Sequence, residues 1–178
     1  MMFDQVIDFW FKFSFKDWFS QNDSLDQAIA EQFSKLHGKA AVCELYAWRS
    51  SALGRLAEII VLDQFSRNLY RNHFKAFSQD SLALALAQEA INMGMDQELT
   101  EIQRAFLYMP FMHSESKAIH QQAIILFRNF NNQRFYEFEL KHQAIINRFG
   151  RYPHRNRALA RESTEEELLF IAEPGSGF

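Results

Sequence analysis

Apolar residues recur along nearly the whole chain at the three-to-four-residue spacing of a helix, and no stretch alternates apolar with polar residues long enough to make a strand. Phe3, Val6, Ile7, Trp10 and Phe11 line one side of a first helix. Leu25, Ile29, Phe33 and Leu36 repeat the pattern behind an N-cap-like Asp23 and Asp26, with Gly38 as the expected stop. A third helix is predicted from Ser50 or Ser51 through Leu53, Leu56, Ala57, Ile60, Val61 and Phe65. The stretch "SQDSLALALAQEAINMG" predicts a fourth, apolar nearly all round and therefore central, closed by Gly94. Thr100 with Gln103 forms a capping box for a fifth through Ile102, Phe106 and Met109, which Pro110 is expected to end or kink. Ile119, Ala123, Leu126, Phe127 and Phe130 mark a sixth. Phe135, Phe138, Ile145 and Phe149 mark a seventh that stops at Gly150, and Ser163 with Glu166 caps a short last helix through Leu168, Leu169 and Ile171. About eight helices joined by short loops imply an all-α fold of stacked antiparallel helix pairs, and 178 residues with nineteen phenylalanines fit one aromatic-rich domain over residues 1–178.

Charge excludes some functions. With 19 basic against 22 acidic residues and a net charge of -3, the chain lacks the broad basic face that nucleic-acid binding needs. Its apolar runs, "IIVL" and "FLYMPFM", are too short to span a membrane. "MMFDQVIDFWF" carries Asp4 and Asp8 and has neither a positive leader nor a small-residue cleavage site, so no signal peptide is expected. Cys43 alone makes no disulfide; the expected setting is the cytoplasm and the expected role of Cys43 structural.

Polar residues then stand out wherever a plain helical scaffold does not require them. His142 lies four residues after Phe138 and three before Ile145, on its helix's apolar stripe, and should point inward, either satisfied by a neighbouring carbonyl or carboxylate or facing a cavity. His113 and Glu115 follow Pro110, where broken helical bonding lets side chains project, although Ser114 could simply cap the next helix. In "LDQFSRN", Asp63 and Arg67 stand four apart, the spacing of an ion pair, while Gln64 and Asn68 continue the stripe of Ile60 as a pocket wall would. His113, Glu115, His142 and His154 are metal-ligand types without metal-ligand spacing, so no metal site and no cofactor is expected.

"RFGRYPHRNR", residues 148 to 157, concentrates four arginines and a histidine around Gly150 and Pro153. Converging guanidiniums make an anion site. They are equally suited to pairing with Glu162, Glu165, Glu166 and Glu167, which follow closely and could pin the terminal helix.

Taken in order, "VIDFWF", "DWF", "LDQFSRN", "AFSQD", "FLYMPFMHSE", "RFGRYPHRN" and "STEEE" resemble the uncharacterised bacterial family catalogued as domain of unknown function 924, from about Val6 to Glu167. The resemblance implies a tetratricopeptide-like helical fold and no established activity. Its polar motif residues fall on Asp63, Gln64, Arg67, Asn68, His113, Glu115, His142, Arg148, Arg151, His154, Arg155 and Asn156; Ser66 stands where the family commonly has proline.

The residues and the resemblance together point to a polar site for a small anionic ligand. Asp63, Gln64, Arg67, Asn68, Arg148, Arg151, Arg155 and Asn156 are the candidate binding residues, and His113, Glu115, His142 and His154 the candidate acid or base groups if the protein is an enzyme. No nucleophile stands out. The alternative is a scaffold that holds a peptide or protein partner, with the polar cluster mainly structural.

Overall fold

The computed structural model describes residues 2–173. They are all-helical: α1 (Phe3–Phe11), α2 (Phe15–Phe19), α3 (Asp23–Ala41), α4 (Ala52–Leu69), α5 (Asp80–Asn92), α6 (Glu101–Met112), α7 (Lys117–Arg128), α8 (Gln133–Phe149) and α9 (Glu165–Ile171), with short 3-10 turns between, and no strand among the described residues. Among the described residues no helix is long and apolar enough to cross a membrane. The chain divides into two compact units, Met1–Arg71 with Lys75–Pro110, and Asn72–Phe74 with Phe111–Phe178.

In the first unit the central helix is α4, not α5 as the alanine-leucine run predicts. Every residue from Gly54 to Ser66 is buried, whereas α5 buries only Ala83, Leu86, Ala87 and Ala90. α4 is packed by α1, α3 and α5. It tolerates this because its charges are paired: Glu58 takes two hydrogen bonds from Arg49, both at 2.7 Å, and Arg55 reaches Glu89 at 3.1 Å. Hydropathy counts those side chains as solvent-seeking and cannot see their partners. Close approach also explains Gly54, where a Cβ would lie 2.0 Å from the Trp48 carbonyl oxygen. Around Phe106 the rings of Trp10, Phe11 and Trp18 meet edge-on, at 4.8 to 5.6 Å.

Four helix ends differ from expectation. Asn22, not Asp23, caps α3, its side chain accepting from the Leu25 N–H, and α3 runs through Gly38 to Ala41. α6 continues two residues past Pro110 to Met112. α9 is capped one residue later than predicted, by Thr164 with Glu167. By contrast Ser51 caps α4 as expected, and Gly94 and Gly150 adopt the left-handed conformation that closes α5 and α8.

In the second unit α7 packs on α8, and α9 packs on the 3-10 turn Pro153–Arg155. Ile145, Ile146 and Tyr152 form one buried cluster of it, beside Phe149 and Phe170.

Candidate functional site

The candidate residues fall into two sets, one in each unit. In the first, α4 places Asp63, Gln64, Arg67 and Asn68 where α3 and α5 pass. The Asp63 carboxylate is fully buried, accepting from Gln64 Nε2 at 2.6 Å and pairing with Arg67 at 3.2 Å. Arg67 also grips both oxygens of Asp80, on α5, at 3.1 and 3.2 Å. Asn68 donates to Asp26, on α3, at 2.7 Å, and Arg71 holds that carboxylate with two bonds of 2.8 Å. The predicted ion pair is therefore present, and the stripe that reads as a pocket wall fastens three helices together.

In the second unit the corner after α8 answers for its arginines. Arg148 donates to Glu166 at 2.9 Å, and Arg151 grips Glu167 with bonds of 2.6 and 2.7 Å. Glu162 contributes its backbone carbonyl, 2.8 Å from Arg151. Glu167 also accepts from the Thr164 N–H at 2.8 Å and from Asn156 at 3.3 Å. The Arg151 hydrogen bonds hold its carboxyl well below the ordinary range, at about 2, against the opposing effect of burial.

Glu115 plays the matching part on the other side. It accepts from the Tyr152 N–H at 2.7 Å and takes two bonds from Arg161, at 2.7 and 2.9 Å. Burial pulls its carboxyl upward, but the Arg161 hydrogen bonds, the Tyr152 N–H and the Arg161 and Arg155 charges leave it lowered. Arg161, which the motif reading passes over, is aimed by the left-handed Ala160, whose φ of 51 turns the chain so that the Arg161 N–H returns to the Asn156 carbonyl at 2.8 Å.

Inside this shell stands Tyr152, fully buried. Its hydroxyl donates to the Met112 carbonyl at 2.5 Å and meets His120 Nε2 at 3.2 Å. The rings of His120, His142 and His154 lie 6.3, 5.7 and 5.5 Å from the Tyr152 ring, and the Arg155 guanidinium, itself buried, lies 4.5 Å over its face. His113 is close enough to act electrostatically on His142.

Two of these histidines have defined proton positions. His142 Nδ1 donates to the Phe138 carbonyl, one turn back on α8, at 2.7 Å, which leaves the lone pair on Nε2. Burial, with the nearby His113, His120 and Arg155 charges and despite that hydrogen bond, pushes its pKa down to about 3, so the ring is neutral near pH 7. His120 Nε2 donates to the Ser114 carbonyl at 2.8 Å, which leaves Nδ1 facing Glu139 Oε1 at 2.6 Å. Burial raises the Glu139 pKa although the His120 bond opposes it. Among the described residues no group of three or more His, Cys, Asp or Glu is arranged to hold a metal ion.

A family model for bacterial proteins of unknown function (DUF924) matches residues 6–175. The chain belongs to that family. It is also similar to a solved protein of unknown function from Agrobacterium tumefaciens, at 36% identity and a TM-score of 0.91 over 96% of each chain. No curated protein matches it. Ser66, within "LDQFSRN", has a partner of its own. Its hydroxyl donates to the Leu62 carbonyl one turn back and lies 2.7 Å from His37 Nε2, on α3. Burial lowers the His37 pKa, which favours a neutral ring there.

Proposed function

We propose that the corner after α8 binds a small anionic molecule, with Arg155 supplying positive charge beside the Tyr152 ring and the neutral His142 ring forming part of the surroundings. The observation that supports this reading is the convergence of three histidine rings and a buried guanidinium on one tyrosine. A helical core of this size needs no such concentration of titratable groups. The outer arginines, Arg148 and Arg151, belong to the same reading, because they already bind carboxylates. If chemistry follows binding, His142 is the candidate base and Tyr152, His113 and His154 its surroundings.

The proposed setting is the cytoplasm, in keeping with a free, exposed Cys43. The tetratricopeptide-like kinship is proposed on the consecutive packed pairs α3 with α4 and α7 with α8.

The test is a thermal-shift titration with inorganic phosphate at constant ionic strength, in the protein and in Arg155→Gln. A saturable rise, worth about 2.7 kcal/mol at a hundredfold excess over Kd and lost in the variant, supports the reading. A flat response returns the cluster to a structural role and turns the search to a peptide or protein partner.

A further inference from the structure

Of the seven residues of α9 only one is buried, and it is a carboxylate, Glu167. Leu168 and Leu169 face outward, 57% and 67% exposed. The helix is held by Glu166 on Arg148, by Glu167 on Arg151 and Asn156, and by Phe170 against Phe149, 5.1 Å between rings. Amphipathic helices normally dock through their apolar residues. α9 docks through its acids and a single ring, Phe170, and a helix this short has little stability once its contacts are released.

We infer that α9 is a strap whose Glu166 and Glu167 occupy, in cis, a socket for a small dicarboxylate formed by Arg148, Arg151 and Asn156, and that such a ligand binds by displacing it. The inference rests on the anionic-ligand reading of this corner and adds its ligand class and its regulation. Each external carboxylate replaces one internal carboxylate on the same guanidinium, so the donors keep partners throughout the exchange. While α9 is closed, the affinity for an outside acid is reduced by the fraction of molecules in which the socket is open.

The experiment uses the full chain, with succinate as the probe and sodium chloride matching the ionic strength. Amide exchange over residues 165–171 is expected to rise saturably with succinate while the α8 amides stay protected, and acetate at equal concentration should act more weakly. In the double variant Glu166→Gln, Glu167→Gln, α9 should exchange rapidly without ligand, and the succinate concentration for half-maximal thermal shift should fall about tenfold or more. Glu167→Asp keeps the charge but shortens the reach, and should lie between the two even if the double variant folds poorly. Unchanged α9 exchange with succinate, or the same half-saturation in every variant, overturns the strap and leaves a phosphate response lost in Arg155→Gln standing. Absence of any saturable response to phosphate and succinate alike overturns the anionic-ligand reading with it.

Discussion

The two polar motifs do different work. "LDQFSRN" in the first unit is closed: Asp63, Gln64, Arg67 and Asn68 each meet a partner, and those partners lie on α3, α5 and α4 itself. "RFGRYPHRN" in the second unit is layered. Its outer arginines are tied to acids from a seven-residue helix, and its interior gathers histidines and a cation on Tyr152. Two polar runs of one chain therefore meet different partners: the first fastens helices together, and the second surrounds a tyrosine with histidines and a cation.

The largest expected effect breaks the weld. Asp63→Ala removes a fully buried acceptor from Arg67 and Gln64 and should cost about 3 kcal/mol in urea unfolding, toward the low end for a broken buried pair because Arg67 keeps Asp80. A cost near zero would make "LDQFSRN" available for another role.

Acid should act on the second unit through His142. Its folded pKa, about 3, lies below the ordinary 6.5, so below pH 6.5 the unfolded chain binds a proton that the folded chain refuses. The stabilisation is complete above pH 6.5 and is lost as pH falls toward 3, by about 1.4 kcal/mol per pH unit. His142→Phe should flatten that slope; an unchanged slope would place the acid sensitivity elsewhere.

Tyr152→Phe should cost about 1 to 2 kcal/mol, because the Met112 carbonyl loses its donor and His120 a neighbour. A loss of ligand response larger than this stability change would bring the hydroxyl into the binding site itself. Arg148→Ala, which breaks a half-exposed pair with Glu166, should change stability by under about 1 kcal/mol. A larger loss would mean that α9 is a structural part of the fold and not a strap.

Much of this was legible in residue order. The helices other than α2, the glycine stops at Gly94 and Gly150, the inward direction of His142 and the Asp63–Arg67 pair all follow from local spacing. His120 and Glu139 were also within reach. They occupy the buried positions of their stripes, with Ala123 and Phe127 and with Phe135 and Ile146, and a polar residue interrupting such a stripe is the signal. Arg161 gave no such signal, because it acts through the left-handed turn at Ala160, an unusual conformation for alanine. The centrality of α4 was hidden for the same kind of reason, since its charges are neutralised by residues from elsewhere in the first unit.

By itself, then, residue order determined the all-α class and most of the helices, since these depend on periodicity, caps and turns that act within a few residues, and its motif strings marked the family. Tertiary structure decided which acid each arginine holds, which histidines surround Tyr152 and which helix lies at the centre. Those are pairings between residues far apart in the chain, and their energies depend on burial and distance, which exist only once the chain has folded.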